Sequence, residues 1–369
     1  QLGNDDLDYL AKPTLVENLQ DVIAIGQGSA AKHSIVLKED GSVWSWGDNE
    51  FGQLGIGNSD VINSSVPRLV EDVYGVVAVA VGNKHSLALT DEGLVWSWGD
   101  NKVGQIGHTN QTESFVPKLI HGLTNVVSIA SGYNHSMALK EDGTVWTWGE
   151  NGLGQLGIGN KLTRAKPVKV EGLENIVYIS AGAGHCVAVK GDGSVWTWGW
   201  NDYGQLGDGT FENRLKPMKS KITNVVKVSA GGLHNTALTT MGEVIAWGSN
   251  TFGQLGKSRV RNYPVPVKVY ALKDVIEIAS GDMHSMAVLQ DGTVKTWGSN
   301  SSGQLGLEGD LKSFSLHEAY KIKTDLPQAL TALNREVPTR LPIEDKYFPP
   351  IKTDLVEVNV PIDQNNRAK

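Results

Sequence analysis

A tryptophan–glycine pair recurs six times along the chain, and this repeat constrains the fold more than any other feature. The spacings between successive tryptophans are 52, 50, 50, 49 and 50 residues. A repeat of this length indicates that one small structural unit is copied and that neighbouring copies bury each other's apolar faces. The tryptophans are Trp46, Trp98, Trp148, Trp198, Trp247 and Trp297.

A histidine before each pair and a GQLG or GQIG stretch after it keep the same register. The glycine-rich stretches run from Gly52–Gly55 to Gly303–Gly306. These markers predict a repeat domain over residues 1–309 and leave residues 310–369 as a C-terminal extension, which contains prolines but no glycine. The histidines are His33, His85, His135, His185, His234 and His284.

Each unit reads as a set of short β-strands. The stretch HSMALKEDGTVWTWG (residues 135–149) predicts a strand, a tight turn at Asp142–Gly143 and a second strand, because an Asp–Gly pair tolerates the positive φ of such turns. No segment shows a long apolar period of 3.6 residues. Small sheets of this kind bury both faces when they stack radially, so we predict an all-β fold, a β-propeller with six blades.

Two positions of the C-terminal extension relative to the ring are compatible with the sequence. It either closes the ring as a degenerate seventh blade or lies outside a ring of six. The stretch Leu355–Val360 (LVEVNV) alternates as a strand does, and such a strand adds either to the chain's own sheet or to the edge of a neighbouring copy.

The repeated tryptophans and histidines are interpreted as structural. Large rings fill the gap between neighbouring blades, although a ring of aromatic side chains also suits a chromophore or a sugar. One histidine per blade keeps the imidazoles too far apart to share a metal, and we expect each to hydrogen-bond to backbone. The sequence predicts no metal site, no cofactor and no catalytic residues, since it has neither a phosphate-binding GxxxxGK loop nor a nucleophile–base pattern.

Composition excludes several other classes of protein. The formal net charge is −7 and the pI about 5.7, which argues against a nucleic-acid-binding surface. Cys186 is the single cysteine, so no disulfide forms within the chain. No apolar run approaches the roughly 20 residues of a membrane span. The first residue is Gln1, which indicates a processed or trimmed product and slightly favours a secreted or cell-surface location.

The motifs resemble the regulator-of-chromosome-condensation repeat family. The resemblance is carried by HSIVLKEDGSVWSWGDNEFGQLGIG (residues 33–57) and HSMALKEDGTVWTWGENGLGQLGIG (residues 135–159). It implies a β-propeller, usually of seven blades, that serves as a binding platform. Family members include a nucleotide exchange factor for a nuclear small GTPase, a plant ultraviolet photoreceptor and a secreted bacterial inhibitor of β-lactamase. The photoreceptor role needs a Trp–Arg pair before the repeated histidine, and no tryptophan stands there in this chain.

The residues just before each histidine vary while their surroundings repeat. The resemblance places them on one face of the ring near its axis, where binding residues concentrate on loops. Trp200 is a lone large aromatic residue at a position that is polar in the other repeats. The candidate partner-binding residues are Lys84, Tyr133, Asn134, Trp200, Leu233, Asp282 and Met283.

These sequence features are compatible with three candidate functions. The first is a non-enzymatic scaffold that binds another protein through these loops. The second is a structural subunit of an extracellular fibre or surface assembly, joined to further copies through residues 311–369. The third is an exchange factor for a small GTPase, although the repeats lack a long insertion that could enter a nucleotide site.

Overall fold

The structure, a computed structural model, describes residues 2–4, 13–29, 31–307 and 312–321, and the statements below concern this part of the chain. It consists of strands joined by turns and loops, with no helix. The strands form six antiparallel sheets of four strands, each in chain order. We number these sheets as blades 1 to 6 and call their strands inner, second, third and outer. The prediction of an all-β propeller with six blades is therefore confirmed.

Blades 1 to 3 contain twelve strands, which follow in chain order. They are β1 (Val22–Ile25), β2 (His33–Lys38), β3 (Val43–Asp48), β4 (Asn63–Val70), β5 (Val76–Val81), β6 (His85–Thr90), β7 (Val95–Asp100), β8 (Glu113–Leu119), β9 (Val126–Ser131), β10 (His135–Lys140), β11 (Val145–Gly149) and β12 (Arg164–Lys169).

Blades 4 to 6 contain the other twelve described strands. They are β13 (Ile176–Ala181), β14 (His185–Lys190), β15 (Val195–Gly199), β16 (Arg214–Lys219), β17 (Val225–Ala230), β18 (His234–Thr239), β19 (Val244–Gly248), β20 (Tyr263–Lys268), β21 (Val275–Ser280), β22 (His284–Leu289), β23 (Thr293–Ser299) and β24 (Lys312–Lys321).

The central hairpin of each blade follows from its sequence. In blade 3, Ser136 pairs with Trp148 across β10 and β11. The turn between them places Gly143 at a φ of 75°, a left-handed conformation that glycine adopts without strain. The Asp142 carboxylate accepts a hydrogen bond of 3.0 Å from the backbone N–H of Thr144 and closes the turn.

The core is divided among the seams between blades. At the seam between blades 3 and 4, Met137, Leu139 and Val145 of blade 3 pack with Ile179 and Trp198 of blade 4. Comparable apolar clusters fill the seams of blades 1 and 2, 2 and 3, 4 and 5, and 5 and 6. Each seam buries several large apolar side chains, at roughly 1.5–3 kcal/mol apiece, so each blade is stabilised by its neighbours.

The fourth strand of blade 6 comes from beyond the six recognised repeats. Strand β24 pairs with β23, with Thr296 opposite His317. It lies past residue 309, within the segment that the repeat pattern assigns to the extension. The rest of the extension, including Leu355–Val360, lies outside the described residues.

The antiparallel strands give the ring two distinct ends. The loops between inner and second strands and between third and outer strands share one end, which we call the histidine face because each second strand begins there with the repeated histidine. The Asp–Gly hairpins and the loops from each outer strand to the next blade lie at the opposite end, the hairpin face.

Candidate functional site

The repeated histidines form a relay of hydrogen bonds from one blade to the next. In blade 2, His85 Nε2 lies 2.9 Å from Ser136 Oγ of blade 3. Ser136 in turn donates to the backbone carbonyl of Gln105 in blade 2, at 2.8 Å. Because the serine proton is used there, the imidazole must donate its Nε2–H to the serine oxygen, which places the proton of a neutral ring on Nε2.

The same relay recurs at five seams with different middle residues. The histidine-to-partner pairs are His33–Ser86, His85–Ser136, His135–Cys186, His185–Asn235 and His234–Ser285. We expected the imidazoles to contact backbone, and the structure differs: they bond a side chain, which then reaches the backbone. The reason is geometric, since the second strand of the next blade lies between the ring and the glutamine carbonyl.

Burial keeps these imidazoles uncharged. It lowers the pKa of each ring well below the usual value of about 6.5, because the protonated form would lose its hydration. The pKa is about 3 for His33, His85, His135 and His234, and about 4 for His185 and His284. Because these imidazole rings are neutral and buried, they are poorly placed for proton transfer to a ligand.

The repeated tryptophans bond to the same glutamine carbonyls. Trp98 Nε1 donates to Gln53 O at 3.0 Å, across the seam of blades 1 and 2. Trp148, Trp198, Trp247 and Trp297 do the same at the following seams. The rings fill the seams as the repeat predicts, so they are not available to stack on a ligand.

A buried asparagine that sequence reasoning missed holds each long loop of the histidine face. Asn151 Oδ1 accepts from Leu156 N at 3.0 Å, and its Nδ2 donates to the carbonyls of Asn160 and Leu162. The available signal was the residue two positions after each tryptophan–glycine pair, which is asparagine in all six repeats. These loops are therefore rigid supports for the side chains that they present.

Two of the predicted binding residues meet across the ring. Tyr133 of blade 3 donates its hydroxyl proton to Asp282 Oδ1 of blade 6, at 2.8 Å. Burial raises the pKa of Tyr133, and the neighbouring Asp282 carboxylate raises it further. Burial also raises the pKa of Asp282, against the effect of the tyrosine hydrogen bond. A Cβ at Gly232 would lie 2.0 Å from Asp282 Oδ1, so this contact requires a glycine there.

Lys84 belongs to a cation–aromatic cluster on the same face. Its ammonium lies 3.9 Å from the ring centroid of Phe51 and 3.8 Å from the Glu50 carboxylate. Lys102 approaches the same ring at 4.4 Å. We call Glu50, Phe51, Lys84 and Lys102 the Phe51 cluster. Sequence reasoning found Lys84 but not Phe51, because other repeats also have an apolar residue at that position.

The remaining predicted residues lie on the histidine face in separate places. Trp200 is half-buried and meets Tyr203 edge to face, with ring centroids 5.5 Å apart. Asn134 bonds Glu150 at 3.1 Å. Leu233 is half-buried, and Met283 lines a pocket of about 430 Å³ that also borders blade 1. The structure thus joins Tyr133 to Asp282 and gives Lys84 a cluster of its own, but it does not unite all seven residues.

The inner strands carry a polar cluster that sequence reasoning did not identify. Lys227 of β17 pairs with Glu277 of β21, and its ammonium lies 2.5 Å from the carboxylate. Tyr178 of β13 stands beside it, 6.0 Å from ring centroid to ammonium. Burial lowers the pKa of Lys227, but Tyr178 and Glu277 outweigh it, so the pKa is raised and the lysine stays charged.

Two further features are absent from the described part of the chain. It contains no helix with the length and apolar character needed to cross a membrane. Nor do those residues include a group of three or more His, Cys, Asp or Glu side chains arranged to hold a metal ion.

Known proteins match this chain in parts and as a whole. The Protein RCC2 homolog of Xenopus laevis is 46% identical over 88 residues, which are 23% of this chain and 17% of that protein. The E3 ubiquitin-protein ligase HERC2 of Mus musculus is 41% identical over 112 residues, 29% of this chain and 2% of that protein. The chain therefore matches only a small part of the length of either relative.

Solved structures match over most of the chain. Prp20p from Saccharomyces cerevisiae superposes with a TM-score of 0.74 and 25% identity, covering 86% of this chain and 82% of that one. Human WBSCR16 superposes with a TM-score of 0.76 and 26% identity, covering 84% and 85%. A sequence profile of the RCC1-like domain matches residues 1–333. Together with the six blades and their repeated seams, this match shows that the chain belongs to the RCC1-like domain family.

Proposed function

We propose that the chain is a binding platform that holds a partner protein with its histidine face. The observation that carries this proposal is the Phe51 cluster, in which two ammonium groups flank one aromatic ring beside a carboxylate. Such a cluster holds two positive charges in fixed positions over an aromatic ring, and cationic groups placed in this way contribute strongly at protein interfaces. Phe51 itself is buried, so its ring positions the two ammonium groups and the expected partner surface is acidic.

The solved structures support a protein partner. The work on Prp20p concerns its binding to Gsp1p and histones, and a further matched structure shows Kap60 bound to yeast RCC1. These interactions belong to the yeast proteins. They support the proposal that a propeller of this fold binds other proteins.

Regulation of a GTPase is a second candidate, favoured by the structural likeness to Prp20p. It is tested by loading Gsp1p with a fluorescent guanine nucleotide and measuring nucleotide release with and without this chain. Acceleration would support the regulator role, whereas unchanged release leaves the binding platform as the better description. For the third candidate, self-assembly through residues 311–369, no contact among the described residues offers support.

The platform proposal is tested by comparing the two faces of the ring. A photo-crosslinking residue at Lys102, on the histidine face, is compared with one at Met241, which is 82% exposed on the hairpin face. Proteins captured from native extract at Lys102 only are then titrated against the purified chain. Replacing Lys84 and Lys102 together by glutamate should weaken binding at least about tenfold, since close charge pairs contribute strongly at interfaces.

The matched control is Lys273→Glu, which reverses an exposed lysine on the hairpin face. This variant should bind as the unaltered chain does. Equal capture at both faces, or equal affinity of the Lys84/Lys102 double variant and the Lys273 variant, would overturn the proposal.

A further inference from the structure

Three exposed apolar side chains stand at the same place in three consecutive blades. Leu162, Phe211 and Val260 lie in the loops that lead into the outer strands of blades 3, 4 and 5. Their exposed fractions are 61%, 48% and 58%, although residues of these types are usually buried. Because the blades repeat around one axis, all three side chains lie on the outer rim of the histidine face. We call Leu162, Phe211 and Val260 the apolar tips.

The buried asparagine of each loop holds its apolar tip in place. Asn151 donates to the backbone carbonyl of Leu162 itself, at 3.0 Å. Asn201 donates to the carbonyls on either side of Phe211, at 3.1 and 3.0 Å. In blade 5 the equivalent asparagine donates to the carbonyl just before Val260, at 2.8 Å. Since these backbones are already fixed, the tips lose little conformational freedom when they contact a ligand.

Cationic side chains flank the tips of blades 3 and 5. Residues 157–166 and residues 256–263 each contain three Lys or Arg and neither Asp nor Glu. Lys161 and Arg259, which adjoin the tips, are exposed. Among the residues that the structure describes, no carboxylate lies within 4.0 Å of either. The rim is therefore locally positive in a chain whose net charge is −7.

The tip of blade 4 receives its cation from the strand that follows it. Arg214 is occupied there, since it pairs with Asp208 at 2.9 Å and with Glu212 at 3.2 Å. Lys216 is exposed and reaches back to the loop of blade 3, because a Cβ at Gly159 would lie 2.8 Å from Lys216 Cε. Lys216 thus places a further positive charge between the tips of blades 3 and 4.

Blades 1 and 2 lack this combination of apolar tips and cations. Ile62 of blade 1 is 65% exposed at the same place in its loop, but residues 55–62 contain Asp60 and no Lys or Arg. Residues 107–112 of blade 2 contain neither an aliphatic residue nor Lys or Arg. The combination is therefore confined to one arc of the ring, blades 3 to 5.

We propose that the rim of blades 3 to 5 docks on an anionic lipid bilayer. The apolar tips enter the boundary between headgroups and acyl chains, and the cations beside them bind the phosphate and carboxylate groups of the lipids. A nucleic acid would engage the cations but offers no apolar layer for the tips. The tips stand on three separate loops, and a fluid bilayer receives them without matching pockets. This surface goes beyond the protein-binding role proposed above, whose Phe51 cluster belongs to blades 1 and 2.

The test is co-sedimentation of the full chain with lipid vesicles. Vesicles of phosphatidylcholine with about 30% phosphatidylserine are compared with vesicles of phosphatidylcholine alone. We expect binding to the anionic vesicles and at least about tenfold weaker binding to the neutral ones. Replacing the three apolar tips together by serine should weaken binding to the anionic vesicles at least about tenfold, and so should Lys161→Glu combined with Arg259→Glu.

Two controls change comparable residues elsewhere on the surface. Ile62→Ser removes an exposed apolar side chain whose loop has no cation, and Lys273→Glu reverses an exposed lysine on the hairpin face. Both variants should bind the anionic vesicles as the unaltered chain does. The proposal is wrong if the unaltered chain does not bind these vesicles, or if the serine variant binds them as tightly as Ile62→Ser does.

A second measurement separates insertion into a bilayer from attraction to any polyanion. An environment-sensitive fluorophore is attached at Val260→Cys, and Cys186 gives little background because it is 0% exposed. We expect the emission to shift to the blue on anionic vesicles, whereas the same label at Ile62→Cys should not respond. A DNA duplex or polyglutamate that binds as tightly as the vesicles, with no blue shift on the vesicles, would assign the rim to polyanions in general and overturn the proposal.

Discussion

At the scale of single residues, the repeat identified which side chains are structural but not what they contact. The histidines and tryptophans recur with the blade, so their role could be inferred from position alone. Their partners lie on a neighbouring blade, the next one for His135 and Cys186 and the preceding one for Trp98 and Gln53, and no local pattern reports them. The contact of Tyr133 with Asp282 joins residues 149 positions apart, and only the circular arrangement of the blades brings them together.

The buried histidines predict a pH dependence of stability. In the unfolded chain the imidazole of His85 binds its proton near pH 6.5, and in the folded chain only near pH 3. The unfolded chain therefore holds more protons between these values, and stability, complete above pH 6.5, is lost as the pH falls towards 3. Each such histidine adds up to about 1.4 kcal/mol per pH unit to the slope.

Urea unfolding between pH 8 and 5 measures this slope in the unaltered chain and in a His85→Gln variant. The stability of the variant should change less steeply with pH, because the variant lacks the contribution of one buried histidine. His121→Gln, an exposed position on the hairpin face, serves as control and should leave the slope unchanged. Equal slopes in all three proteins would show that the relay histidines do not govern acid stability.

At the scale of elements, the hairpins could be predicted from the sequence, whereas the buried asparagines that hold the long loops could not. An Asp–Gly pair between two apolar runs specifies its turn locally, as Gly143 shows with its φ of 75°. The long loops lack such a local rule. Each is specified by one buried asparagine whose bonds reach far along the chain, eleven residues in the case of Asn151. Strand β24 was missed because it carries none of the repeat markers.

The buried asparagines predict that a single side-chain truncation lowers the free energy of unfolding substantially. Asn151→Ala leaves Leu156 N and two loop carbonyls without their partner, and Asn151 is 0% exposed. Since each buried unsatisfied group costs about 1–3 kcal/mol, we expect the free energy of unfolding to fall by about 3 kcal/mol. Lys161→Ala, an exposed change in the same loop, should have little effect in the same urea titration. Similar midpoints for the two variants would contradict this role.

At the scale of the whole molecule, the propeller and its family could be predicted, whereas the partner could not. Stacking of copies is forced by the repeat, and the RCC1-like profile confirms the resemblance. In the binding platform that we propose, the partner contacts the positions where the repeats differ, and a fold does not specify the residues at such positions. This is why Lys84 could be selected from sequence while the ring beneath it, Phe51, could not.

The ring itself predicts coupling between distant blades through Tyr133 and Asp282. Removing either side chain breaks a bond that connects blade 3 to blade 6, and a hydrogen bond to a carboxylate contributes about 1.5 kcal/mol or more. In a double-mutant cycle of Tyr133→Phe and Asp282→Ala, measured by urea unfolding, we therefore expect a coupling of about 1.5 kcal/mol. Tyr203→Phe combined with Asp282→Ala is the matched cycle and should be additive. If both cycles are additive, the contact does not connect the two sides of the ring, and the histidine face is stabilised by its seams alone.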